Sequence, residues 1–327
     1  MSLFPEIIEL ELSNRCNLDC VMCPRLPQKL NMGDMDRALL DRVLDESLAH
    51  PRRTFRLHGI GEPLLSPHFR HTVERIKNTT GEHRIDLITN GHLLSKDTGR
   101  FILRQEIDRL TVSVAAATPE TYAVVRKSKK LDLVLKNTIR LLDEKARTGA
   151  ATEVVVQLIR VPPADQEVDA FVEFWSRFDV TIEIWHDLNW GRRAFGAAPT
   201  LEFPPCEHLY RYSVVCWDGR VGICCVDASR MHVVGHLEKE SLREAFNSQR
   251  MQAIRAIHER QETFHMPICV DCSFRDERHI AFSANTSRSG TRPGDFAAVP
   301  PTDYGLPGPN SDGPLVQLPS ASGNSER

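Results

Sequence analysis

Residues 15–24 read RCNLDCVMCP, which puts Cys16, Cys20 and Cys23 within eight residues of one another. The stretch just ahead, IIELEL at residues 7–12, reads as a strand, so the triplet falls on the loop at that strand's end. Three thiolates this close can converge on one metal centre. Zinc, or simple burial of the thiols, is the alternative. Structural zinc takes four ligands, often from C-x₂-C pairs, whereas a local set of three leaves one metal position open, which suits a reactive cluster better.

Outward from the triplet, short β-rich runs alternate with helical patterns. Residues 36–50 form a helix with Leu39, Leu40, Val43 and Leu44 on one side, and residues 55–58 a second strand. Ser66-Pro67, a cap followed by proline, predicts the start of the next helix. Strand-then-helix units follow at 85–89 and 95–104, and at 110–114 and 118–127. A further helix at 131–146, a strand at 154–159, a helix at 168–178 and a strand at 181–185 complete five or six βα repeats. Such alternation predicts an α/β fold with a parallel sheet. After residue 193 the rhythm changes. A hairpin (212–215 and 220–224, turned at Asp218-Gly219) and a helix near 241–257 predict a small second domain. Residues 284–327 hold seven Pro, six Gly and six Ser with almost no apolar periodicity, the composition of a disordered tail.

The chain has 327 residues, with 41 Lys+Arg against 44 Asp+Glu. A net charge of −3 provides no basic field for nucleic acid and no polybasic membrane anchor. No apolar run approaches the ~18 residues of a membrane span. Glu6, Glu9 and Glu11 exclude a secretory signal at the start. A cytoplasmic location is therefore expected, where nine cysteines suggest metal ligands before disulfides.

The C-x₃-C-x₂-C triplet resembles the signature of the radical S-adenosylmethionine (SAM) superfamily, whose fold is a partial (β/α)₆ barrel. The resemblance implies that Cys16, Cys20 and Cys23 hold three irons of a [4Fe–4S] cluster, with SAM chelating the fourth. One electron then cleaves SAM to a 5′-deoxyadenosyl radical that abstracts hydrogen from substrate; the chemistry is the cofactor's, and the protein binds and orients. Met22 stands where the family often has an aromatic residue, and its thioether can pack on adenine. LHGIGEPLL (57–65) looks like the family's Gly-Gly-Glu-Pro segment. It implies close backbone approach at Gly59 and Gly61 and a bond from the SAM ammonium to Glu62. Asn90, in LITNG, and Ser113 match positions that contact SAM or its ribose, and Arg126 matches an arginine that pairs with the SAM carboxylate. An electron donor such as flavodoxin or ferredoxin is the implied partner.

Six cysteines remain. Cys206, twelve residues, Gly219, four residues and Cys224, then Cys269-Val-Asp-Cys272, resemble the SPASM and twitch domains that hold auxiliary [4Fe–4S] clusters. A zinc ribbon is the alternative on spacing alone. Because nothing follows Cys272 before the tail, the one-cluster twitch form fits better. The expected organisation is a barrel over 1–195, an auxiliary domain over 196–283 and the tail over 284–327. With six residues ahead of the first strand, no leader-binding domain is expected.

This pattern resembles the dehydrogenases and epimerases of sugars, aminocyclitols and nucleosides in antibiotic biosynthesis. Oxidation or epimerisation at a carbinol carbon of a small substrate is the leading expectation. Radical decarboxylation, C–C bond formation, peptide maturation and a non-catalytic zinc scaffold are the competing readings. Arg160 ends a barrel strand, and His186, Asp187, Trp190, Arg192 and Arg193 cluster beyond the last one, so they are candidate substrate groups. Of the two cysteines left over, Cys225 reads as structural. Cys216 reads as the candidate hydrogen-atom donor of an epimerase, or else as a small buried hydrophobe.

Overall fold

Strand β1 (Ile7–Leu10) lies seventh in a sheet that has ten strands among the described residues. On one side it pairs in parallel with β2 (Thr54–Leu57). The sheet continues through β3 (Arg84–Thr89), β4 (Arg109–Ser113), β5 (Glu153–Arg160) and β6 (Thr181–His186), all parallel. On its other side β1 pairs in parallel with β7 (Tyr212–Val215), which leads antiparallel into β8 (Arg220–Gly222) and β9 (Val233–His236). The C-terminal hairpin thus extends the barrel sheet. The computed structural model describes residues 3–25, 31–186, 205–263, 266–269, 272 and 280–285, the last six as backbone. The expected boundary at 195/196 lies outside the described residues. So does the expected tail from 286 onward, but its first two positions, Ala284 and Asn285, belong to β10 (Ile280–Asn285), paired antiparallel with β6.

Helices α1 (Arg37–Leu48), α2 (Phe69–Lys77), α3 (Lys96–Arg104), α4 (Pro119–Arg126), α5 (Leu131–Thr148) and α6 (Val168–Trp175) supply the outer layer. Ile8, Leu10, Phe55, Leu57 and Leu87 form one buried cluster with Leu40, Leu44, Val73, Tyr122 and Trp175. Asp36, Ser95 and Thr118 cap α1, α3 and α4 through their side chains, satisfying otherwise orphaned N–H groups. Helix α2 begins two residues beyond Pro67. Ser66 Oγ accepts from His68 N at 3.2 Å, so it closes the preceding turn instead of capping the helix. The expected helix near 241–257 is two, α8 (Leu242–Phe246) and α9 (Gln249–Glu259), because Ser248 leaves helical geometry to cap the second; a short α7 (His208–Arg211) precedes β7. Among the described residues no helix is long and apolar enough to cross a membrane.

Glu9, Arg56, Asp86, Arg109 and Glu153 stand side by side across β1–β5, with alternating charge. Arg109 bridges to Glu153 at 3.1 Å and also to Glu183, while Arg56 stays 3.9 Å from Asp86. Opposite charges in facing positions support the pairing.

Candidate functional site

The cysteine loop is anchored before it reaches its first thiol. Asn14 accepts from Gly33 N at 2.8 Å and donates to the Asn31 carbonyl at 2.7 Å, and Ser13 bridges to Asp34. Further on, Arg25 donates to the Leu18 carbonyl and to Asp19, both at 2.7 Å, and Val21 N donates to the Val125 carbonyl at 2.9 Å. Leu18, Cys20 and Met22 are buried with Ala115, Val125, Val161 and Ala164, while Cys16 and Cys23 are half-buried at the same cluster. Burial pushes the Cys16 thiol up to about 11 and raises Cys23 as well. A bound metal reverses that preference, because it takes thiolate.

Directly beneath lies the Gly-Ile-Gly-Glu-Pro segment. Glu62 N donates to the Arg15 carbonyl at 2.8 Å. A Cβ on Gly61 would stand 2.1 Å from the Ser13 carbonyl oxygen, so only glycine admits this approach. Gly59, at φ +148°, lies against Glu11 in the same way. The glycines therefore seat the chain on its own cysteine loop. The buried Glu62 carboxylate accepts from Thr89 Oγ1 at 2.7 Å, Asn90 N at 2.8 Å and Leu64 N at 3.2 Å. Burial raises its pKa against those three donors.

Arg126, at the end of α4, reaches back to the loop. Its Nη1 lies 3.2 Å from Cys20 Sγ, and its Nη2 donates to the Ser113 hydroxyl at 2.7 Å and to the Ser113 carbonyl. Its Nε is buried without a hydrogen-bond partner. An unsatisfied cationic donor on a side chain that touches Cys20 suits an anionic group brought in by a ligand. Among the described residues no group of three His, Cys, Asp or Glu is disposed around a single ion. A cubane takes each thiolate on a different iron and needs no such common point.

Cys16, Cys20, Cys23, Met22, Gly59, Gly61, Glu62, Asn90, Ser113 and Arg126 all line one cavity of about 200 Å³. The sequence motifs are brought together here. Its remaining lining includes groups that sequence reasoning did not single out, Glu9, Arg56, Gln157, Trp185 and Arg230, and also Cys225, expected to be structural. Glu9 accepts a hydrogen bond from the buried Tyr212 hydroxyl, and Arg230 bridges to Glu11. His58 lines the cavity too, with Nδ1 buried and unpartnered. The sequence did carry a signal for the acids. In IIELEL, Glu9 and Glu11 alternate with Ile8, Leu10 and Leu12, so they face the barrel interior.

Three candidates stand elsewhere. Arg160 and His186 are register partners at the ends of β5 and β6, but the residues before them, Ile159 and Trp185, are the ones that line the cavity. Strand alternation turns Arg160 and His186 to the other face, where Arg160 pairs with Asp165. Cys216 is buried beside Tyr212 and Val214, and burial pushes its thiol up to about 12; the thiol lining the cavity is Cys225. Asp187, Trp190, Arg192 and Arg193 lie outside the described residues.

In the C-terminal part, Val226 N donates to Cys224 Sγ at 3.4 Å, and the neighbouring Cys225, together with burial and the nearby buried Cys272, raises the Cys224 thiol. Cys206 and Cys269 pack half-buried against the main core. Cys206 N donates to His258 Nδ1 at 3.4 Å.

The Radical SAM superfamily matches residues 10–185, and the SPASM iron–sulfur cluster-binding domain matches residues 206–273. The chain is 24% identical over 315 residues to the tungsten-containing aldehyde ferredoxin oxidoreductase cofactor-modifying protein of Pyrococcus furiosus, covering 82% of this chain and 87% of that one. A probable GTP 3′,8-cyclase of Methanothermobacter thermautotrophicus is 29% identical over 42% of this chain and 44% of its own length. Among solved structures, BtrN in complex with AdoMet and 2-DOIA superposes with a TM-score of 0.58 at 17% identity, over 83% of this chain and 94% of BtrN. The anSMEcpe structure with bound AdoMet gives 0.62 at 14% identity, over 78% and 81%.

Proposed function

This chain belongs to the Radical SAM superfamily, and from that premise we propose that it oxidises a carbinol carbon of a small polyhydroxylated molecule: a sugar, aminocyclitol or nucleoside. Its cofactors are SAM, a SAM-binding [4Fe–4S] cluster and an auxiliary cluster. When bound, they supply the 5′-deoxyadenosyl radical and a one-electron acceptor. In this reading Cys16, Cys20 and Cys23 hold the first cluster, and Cys206, Cys224, Cys269 and Cys272 the second. Glu62 takes the SAM ammonium, Arg126 Nε its carboxylate, and Met22 offers an apolar wall to the adenine. Asn90 and Ser113 face the ribose.

The observation that carries the substrate class is the charged floor of the cavity, where Glu9, Arg56 and Arg230 project into the space next to the thiols. Glu9 and Arg230 already have protein partners, but Arg56 keeps about a quarter of its side chain exposed, and an apolar substrate would strip water from it and return nothing. Hydroxyl groups both donate and accept, so they satisfy carboxylates and guanidiniums alike. Glu9 is the carboxylate suited to accept the hydroxyl proton as the carbinol is oxidised. The fold shared with BtrN, whose structure holds 2-DOIA, supports the same reading.

The test is anaerobic reaction of the reconstituted enzyme with SAM, dithionite and two panels, one of sugars, aminocyclitols and nucleosides and one of peptides. Substrate-dependent 5′-deoxyadenosine with a product two hydrogens lighter from the first panel is expected. Turnover confined to peptides would end this reading. Epimerisation is the second reading, favoured by the Cys225 thiol on the cavity wall. It predicts solvent hydrogen in the product, lost in Cys225→Ala and retained in Cys216→Ala.

A further inference from the structure

We infer that Arg126 sets the reduction potential of the cluster held by the cysteine triplet, by hydrogen-bonding a ligand sulfur. The inference rests on the reading that Cys16, Cys20 and Cys23 hold that cluster. Arg126 is only 7% exposed, and its guanidinium is fixed at both ends. Nη1 lies 3.2 Å from Cys20 Sγ, and Nη2 is bound to the hydroxyl and carbonyl of Ser113. The scaffold behind it is rigid. Thr118 caps α4 and Pro119 opens it. Lys127 ends it in the left-handed region, and Val125 is tied to Val21 in the cysteine loop.

Arg25 is paired differently. That side chain also lies near the triplet, but its charge is matched by Asp19 at 2.7 Å. Among the described residues no carboxylate forms an ion pair with Arg126, whose near partners are a thiol sulfur and the neutral oxygens of Ser113. The Glu62 carboxylate lies within electrostatic reach but makes its hydrogen bonds to Thr89, Asn90 and Leu64, and a buried guanidinium with no directly paired countercharge is expensive. Negative charge on the ligand sulfurs removes that expense, and removes more of it once the cluster has gained an electron. The cation therefore favours the reduced form and raises the potential, hydrogen bonds to cluster sulfurs being a recognised lever.

The experiment is an EPR-monitored redox titration of the reconstituted full chain without SAM, following the signal that disappears when all three triplet cysteines are replaced by Ala. Arg126→Gln should disfavour reduction about tenfold, a shift of ~59 mV to more negative potential for one electron. Arg126→Lys keeps the charge but not the fork, and should fall between. A wild-type potential in an iron-replete Arg126→Gln protein overturns the inference and leaves a purely structural role. Should that variant fail to bind iron, Arg126→Lys and Ser113→Ala, which removes one of the two acceptors that hold Nη2, carry the test. Both must lie below wild type, and wild-type values in both overturn it. If no signal disappears in the triple variant, the ligand assignment fails and the inference falls with it.

Discussion

The Glu11 carboxylate and the Arg230 guanidinium meet at 3.2 Å with each side chain 3% exposed, joining the end of the first strand to the loop beyond β8. Burial raises the Glu11 pKa, opposed by the Arg230 charge. Breaking such a pair leaves a charge buried and unpaired. Arg230→Met should cost about 3–5 kcal/mol, whereas Glu11→Leu with Arg230→Met should regain most of it. Chemical denaturation of the two single variants and the double variant measures the coupling.

Gly61→Ala drives a methyl group into the Ser13 carbonyl. The expected loss is about 1–3 kcal/mol of stability or more, together with iron at the triplet, because the loop that presents Cys16 must move. Thermal melting and iron analysis report the two effects separately.

Glu62→Gln replaces one accepting oxygen with a donating amide opposite Thr89 Oγ1, Asn90 N and Leu64 N. Stability should fall by about 1–3 kcal/mol, and SAM affinity at least tenfold. Calorimetric SAM titration decides the second part, and an unchanged Kd removes Glu62 from the SAM site.

Iron content tests the ligand sets. Wild type should hold about eight irons and the triple Cys16, Cys20, Cys23→Ala variant about four, one cubane fewer. A wild type with about four, all lost in the variant, contradicts two separate sites.

A pH effect is expected at Glu167. Burial opposes its ionisation, but the hydroxyls of Thr118 and Thr121 and the N–H groups of Ala117 and Thr118 outweigh it and hold the carboxyl below the usual range. A depressed folded-state pKa adds stability above the unfolded value of about 4.3, and that stability is lost as pH falls through the folded one. Glu167→Gln should therefore be less stable than wild type by about 1–3 kcal/mol at neutral pH. The gap should close below about pH 4 in urea melts.

The ligand-bearing motifs were legible because each is local. A spacing of cysteines, a pair of glycines before Glu62 and an arginine closing a helix can be read from a few residues. Arg56 was not legible, since its place beside Glu9 depends on the register of two strands 47 residues apart. Arg160 and His186 do end β5 and β6, but Ile159 and Trp185 are the residues that line the cavity, because successive side chains of a strand alternate between faces and the sequence does not say which face turns inward. The pairing of β10 with β6 had no local signal, because it joins a segment near residue 280 to one near 181.

Strand β1 is hydrogen-bonded on both edges, to β2 at residues 54–57 and to β7 at residues 212–215. During synthesis the first partner emerges about fifty residues after β1 and the second only after some two hundred. Until then the nascent chain carries an open strand edge, a template for wrong pairing with a neighbouring chain. Closure of that edge has a long sequence separation, which makes it slow. Termination between β6 and β7 would therefore leave a sticky, aggregation-prone product instead of a smaller working barrel, and production of the intact protein should improve with slow expression or added chaperone.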